Sequence, residues 1–147
     1  MLKIPVLHPE ILAALGSAGH LGKVLISDGN YPHNTRPNPR AKIVWANFIP
    51  GIVDAVTALK IVARLVPIEA VDVMEPERSG AYAMANDPPI WADFRKVLAE
   101  ESDCRVINPW QKPEFNERAR GDDVCLIIAT AEIQIFANIL VTIGVVR

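Results

Sequence analysis

Long apolar runs, an excess of either charge, paired cysteines and nucleotide-binding glycine loops are all scarce in this 147-residue chain. Each scarcity closes off a class of function. The longest uncharged stretch, Ile133 to Val146, has 14 residues and is interrupted by Gln134, Asn138 and Thr142. A spanning helix needs about 20 mostly apolar residues, so no membrane span is expected. The opening Met1 to Glu10 reaches Pro5 almost at once and holds no continuous apolar core, so no secretory signal is expected and a cytoplasmic location is. Lys and Arg number 15 against 17 Asp and Glu, a formal net charge of −2, which gives no electrostatic reason to expect nucleic acid or an anionic membrane as partner. The two cysteines, Cys104 and Cys125, sit in apolar, strand-like runs, which argues against a disulfide framework or a metal site built on cysteine pairs. His8, His20 and His33 lack metal-ligand spacing. Gly16, Gly19 and Gly22 do not form G-x-G-x-x-G, no P-loop exists, and Ser17 lacks a nucleophile elbow. Neither a metal nor a cofactor is therefore expected.

What the chain has is apolar mass. Half of its residues are hydrophobic and 22% are charged, which excludes intrinsic disorder and fits one domain, 1–147. With the membrane set aside, so apolar a small chain is expected to bury surface against copies of itself, with Ile139 to Val146 and exposed helix faces in the interface.

Short apolar runs alternate with helical periodicity. Helices are expected at Pro9 to Ser17, Gly51 to Val66 (Ile52, Val56, Leu59 and Ala63 inward), Ile90 to Glu101 and Pro113 to Arg120. Strands are expected at Lys23 to Ser27, Ile43 to Trp45, Ala70 to Met74, Arg105 to Ile107, Val124 to Thr130 and Ile139 to Thr142. Strands apolar on both faces and separated by helices indicate a layered α/β domain, its mostly parallel central sheet flanked by helices. Ligands gather beyond the carboxyl ends of such strands, so the loops after Ser27, Met74 and Thr130 are the places for chemistry. The proline-rich stretch Tyr31 to Pro39 and the irregular Glu75 to Pro89 read as surface loops, of a length that is often functional.

Few residues in this frame can do chemistry. His20 follows the first helix, and Asp28 ends the first strand. An imidazole can give and take a proton near neutral pH, and a carboxylate can orient it or hold a hydroxyl. Equally, the pair reads as a turn histidine and a turn-capping aspartate. Glu132 and Asn138 interrupt an apolar segment and need partners, either a sugar hydroxyl or, as spacing alone favours, a backbone amide. His33 and Asn34 could line a site mouth or be solvated.

At these same residues the sequence resembles the ribose pyranase/L-fucose mutarotase family, its fucose mutarotase branch most closely. The likeness runs from MLKIPVLHPEILAALGSAGH through Ser27-Asp28, Tyr31-Pro32, Val73-Met74-Glu75 and Pro89-Ile90-Trp91. It continues in Phe115-Asn116-Glu117-Arg118-Ala119, Thr130-Ala131-Glu132 and Phe136-Ala137-Asn138-Ile139-Leu140. The resemblance implies cofactor-free interconversion of anomers or ring forms of a free monosaccharide. It also implies a ring-forming α/β subunit, commonly a decamer, with sites near subunit boundaries. By position it makes His20 the general acid/base and places Asp28, Lys112, Phe136, Ala137 and Asn138 against the sugar. Phe136 stands where the family has Tyr, Lys112 where the fucose branch has Arg, and Asn34 near a family His. Trp45-Ala46-Asn47 replaces a more polar Arg-x-Asp. A catalytically weakened sugar-binding or sensing protein on the same scaffold is the alternative that the missing phenol suggests.

Overall fold

The computed structural model describes residues 2–4 and 6–146, so Met1, Pro5 and Arg147 of the expected domain lie outside it. The chain runs α1 (Pro9–Ser17), β1 (Lys23–Ser27), β2 (Lys42–Trp45), α2 (Ala55–Leu65), β3 (Ile68–Met74), α3 (Ile90–Glu101), β4 (Asn108–Trp110), α4 (Lys112–Ala119), β5 (Val124–Ala129), β6 (Ile139–Ile143). The strands form one six-stranded sheet in the order β2-β5-β1-β6-β3-β4. Five of them are mutually parallel, and β6 runs antiparallel to both its neighbours, β1 and β3. No helix among the described residues is long and apolar enough to cross a membrane.

Alternation along each strand sends side chains to two faces. Val24, Ile26, Leu126, Ile128, Ile139 and Val141 meet helices α1, α2 and α3 on one face. Leu25, Ile127 and Leu140 face the other way, where Phe115 and Ala119 of α4 cover them together with Tyr31 and Phe136. This second layer is thin, because loops supply much of it. Phe94 of α3 is fully buried in the larger layer. Phe94→Ala should cost about 3–5 kcal/mol of stability, read from the denaturant midpoint at unchanged slope. A loss below about 1 kcal/mol would show that the layer collapses onto the gap.

Several expected boundaries move, each for a physical reason. Helix α2 starts at Ala55 because Asp54 is its N-cap, accepting the Thr57 N–H at 2.6 Å. Its buried face passes through Ala55, Ala58, Leu59, Val62 and Ala63, whereas Ile52 precedes the helix and is exposed. Strand β3 begins at Ile68, which pairs with Ile143. The fourth strand is Asn108–Trp110 rather than Arg105 to Ile107; it contains Pro109, which only an edge strand tolerates, and β4 is an edge. The expected C-terminal interface is corrected over Ile139 to Ile143. Ile139 to Ile143 form β6, buried between β1 and β3, and only Val145 and Val146 beyond it are exposed. One exposed apolar group, Trp45, Phe48, Ile49, Ile52 and Ile133, lies at the carboxyl end of the parallel strands.

Candidate functional site

Because β6 runs against β1, the start of one strand meets the end of the other, with Ile139 opposite Ile26. That juxtaposition brings Asn138 to Asp28 across the long sequence gap between them. Asn138 Oδ1 accepts the Asp28 backbone N–H at 3.1 Å, and its Nδ2 donates to Asp28 Oδ2 at 2.9 Å. Asp28 Oδ1 takes the Asn30 N–H at 2.9 Å, and the Ala137 N–H also serves this carboxylate. Burial pushes the Asp28 pKa above the ordinary carboxylate value, and the hydrogen bonds from Asn30, Ala137, Asn138 and Tyr31 only partly oppose it. An acid held this way sheds its proton closer to neutrality than a solvated one.

Asp28 and Asn138 line a cleft of ≈ 440 Å³ at the carboxyl end of the strands. Small-molecule sites occupy about 300–1,000 Å³. The loop after β1 contributes Asn30, Tyr31 and Arg36, and the segment after β3 contributes Glu77 and Tyr82. Phe136 lines the same cleft in a left-handed backbone conformation, φ 58°, its ring buried beside Tyr31, Met74 and Leu140. Lys112, the first residue of α4, also lines it, with Nζ 3.3 Å from Glu77 Oε1. A cation at a helix N-terminus opposes the helix dipole, so Glu77 rather than the helix accounts for Lys112.

The remaining sequence candidates lie elsewhere. Ala137 is fully buried and reaches Asp28 through its backbone. Glu132 is buried and committed to amides. Its Oε1 accepts Ile133 and Gln134 N–H at 2.9 Å each, and its Oε2 accepts the Ala55 N–H of α2 at 3.3 Å. Asn34 is exposed and is not part of the cleft lining. His33 is buried, its Nε2 2.7 Å from Ser27 Oγ and its ring edge-on to Tyr31; desolvation lowers its pKa and keeps it neutral. His20 is at the other end of the sheet. It precedes β1 while Asp28 follows it, and five strand residues at about 3.3 Å each separate the two by more than about 15 Å. There, half-exposed, its Nε2 meets Glu69 Oε2 at 2.7 Å. The chain therefore assembles Asp28, Asn138, Phe136 and Lys112, but it does not add His20 to them.

A second hollow of ≈ 430 Å³ adjoins the cleft through Asn30, lined by Phe48, Ile49, Glu132 and Ile133. Among the described residues no group of three or more His, Cys, Asp or Glu is placed to share a metal ion. Sequence reading missed Arg36, Glu77 and Tyr82. Their only signal was position, in loops that follow parallel strands.

Comparison with known proteins places the chain by family and fold. A family model described as the RbsD / FucU transport protein family matches residues 1–146. The mouse (Mus musculus) fucose mutarotase is 26% identical over 143 residues, 95% of this chain and 90% of that protein. The human (Homo sapiens) fucose mutarotase is 24% identical over 144 residues, with the same coverage. Among solved structures, the fucose mutarotase of Streptococcus pneumoniae in complex with L-fucose superposes with a TM-score of 0.82 at 25% identity, covering 100% of both chains. Bacillus subtilis RbsD complexed with D-ribose has the same fold, with a TM-score of 0.79 at 19% identity and 100% coverage of both chains.

Proposed function

Because the chain belongs to the RbsD / FucU transport protein family, we propose that it is a cofactor-independent sugar mutarotase. It interconverts the anomers or ring forms of a free monosaccharide, L-fucose or a related aldose. The observation that carries this reading is the Asp28–Asn138 pair in the wall of a cleft of monosaccharide size. The mammalian and pneumococcal fucose mutarotases support the sugar class.

Mutarotation opens the ring hemiacetal and closes it on the other face. A proton is added to the ring oxygen while another leaves the anomeric hydroxyl, and closure reverses both transfers. A modest acid/base gain of about 10²–10⁴-fold suffices. Asp28, with its raised pKa, and Asn138 orient hydroxyls; Lys112 assists at the rim, and Phe136 packs on a sugar face. His20 is the proton carrier. A neutral His20 that donates Nε2–H to Glu69 leaves Nδ1 as an acceptor, the state of a general base.

Since His20 and the cleft occupy opposite ends of the sheet, the complete site needs two subunits, the amino end of one seated on the carboxyl end of the next. The exposed Phe48, Ile49 and Ile133 beside the cleft supply the apolar surface for that contact. Such a head-to-tail contact closes into a ring, and the resemblance points to a decamer. Saturation-transfer NMR across a panel including L-fucose and D-ribose tests the reaction; absence of exchange for every sugar overturns it. Light scattering that gives the 16.1 kDa of a single chain at micromolar concentration would overturn the ring.

Phe136 favours one second reading, a sugar-binding or sensing protein that has lost its turnover. On the mutarotase reading, Phe136→Tyr exchanges anomers within about tenfold of the parent. A rise of about 10²-fold or more, with calorimetric sugar binding but negligible exchange in the parent, favours the second.

A further inference from the structure

The proline-rich loop after β1 is held more firmly than its composition suggests. On one side His33 is buried, with Nε2 2.7 Å from Ser27 Oγ. On the other, buried Asn38 donates Nδ2–H to the Gly121 carbonyl at 2.9 Å and accepts the Arg40 N–H at 3.0 Å. Between these anchors the N–H groups of Thr35 and Arg36 both reach the Pro32 carbonyl at 3.1 Å. The resulting turn sets Arg36 in the wall of the cleft. Its guanidinium forms no ion pair with a carboxylate among the described residues.

Within one chain, charge in the cleft is therefore unbalanced at one place. Asp28, Arg36, Glu77 and Lys112 are the lining residues with formal charge, and Glu77 and Lys112 answer each other at 3.3 Å. Asp28 is satisfied by amide donors. Arg36 is exposed at the wall formed by the loop after β1, on the far side of the turn from Asp28 in the chain. A planar fork of donors on a preorganised turn, with no internal acceptor, is suited to a carboxylate or a phosphate.

We infer that Arg36 is an anion subsite and that the substrate is an acidic aldose, carrying a carboxylate or phosphate remote from its anomeric carbon. This rests on the mutarotase reading and, among the aldoses related to L-fucose, puts an acidic one in place of L-fucose itself. The sugar lies with its anomeric end toward Asp28 and its acidic group toward the loop after β1.

Anomer exchange measured by NMR on matched sugars tests it. The pairs are D-galacturonate with D-galactose, D-glucuronate with D-glucose and D-mannuronate with D-mannose, with D-glucose 6-phosphate as the phosphate arm. At least one acidic sugar should exceed its neutral parent in kcat/KM by about 10–100-fold, the worth of a charged hydrogen-bonded pair. Arg36→Met should cut that ratio about tenfold or more, mainly through KM, and Arg36→Lys should restore part of it. Preference for the uronates assigns a carboxylate, and preference for the phosphate ester assigns a phosphate. Exchange of neutral sugars with no acidic preference, or a preference unchanged in Arg36→Met, overturns the anion subsite while leaving the mutarotase reading intact. Failure of every sugar to exchange or bind overturns both.

Discussion

A His20→Ala protein is expected to lose about 10²–10⁴-fold in anomer exchange, the usual worth of a positioned acid/base group. The loss should fall on kcat, because His20 moves a proton and does little to hold the sugar. Its half-exposed position beside Glu69 makes a stability loss small, so thermal unfolding of the variant should resemble that of the parent. A mixing experiment separates the two-subunit site from a site within one chain. When His20→Ala and Asp28→Asn subunits are unfolded and refolded together, random assembly pairs an intact His20 with an intact Asp28 at about a quarter of the sites. Exchange should return to about that fraction of the parent. A site confined to one chain yields no recovery at all, since every chain then carries one defect. Full activity in the His20→Ala protein alone sinks the assignment.

The second large effect concerns Asp28. Asp28→Asn keeps the shape of the side chain but removes its charge, and Asn138 Nδ2 then faces another amide in place of a carboxylate oxygen. Exchange should fall about 10²-fold. The pH dependence carries the sharper signature. Burial raises the pKa of Asp28 in the folded state, so the folded protein binds this proton more tightly than the unfolded chain does. The sign follows from that difference. Stability falls as pH rises from the unfolded carboxylate value of 3.8 through the higher folded value, and the full penalty is present above it. In the parent, the acid limb of kcat/KM should therefore lie above the ordinary carboxylate range. The contribution of Asp28 to that limb should vanish in Asp28→Asn. A parent profile flat down to pH 4 would show that the ionisation of Asp28 does not govern the reaction.

Particular residues show how much of this was legible in the sequence. Strand β5 and helix α3 were readable because local composition decides them. Val124 to Ala129 is apolar on every residue, and Ile90, Phe94, Val97 and Leu98 recur at helical spacing. The start of α2 was misplaced because Ile52 extends an apolar periodicity that the Asp54 cap ends. The place of β6 was invisible, since no local signal distinguishes a central antiparallel strand from an apolar tail awaiting a partner. For the site, Asp28 and Asn138 stand out by strand-end position and by polarity in an apolar run, but their direct pairing comes only from the sheet order. Glu132 follows the reading that spacing alone favours, since three backbone amides take up its carboxylate. The remoteness of His20 from Asp28 could have been read from chain order alone, since a strand always separates its two ends.

The antiparallel strand also governs how the molecule forms. Without β6 the sheet divides into β2-β5-β1 and β3-β4, two pieces that share no ladder. Val24 must find Val141 and Val71 must find the same residue, each across a long loop. Pairings between residues so distant in sequence make folding slow, because loop entropy is lost before any contact repays it. The Asp28–Asn138 pair closes with those ladders, so the ability to bind sugar should appear only in the last refolding phase, together with the native core. Amides of β6 should exchange with deuterated water only by global unfolding, on the same timescale as those of β1 and β3.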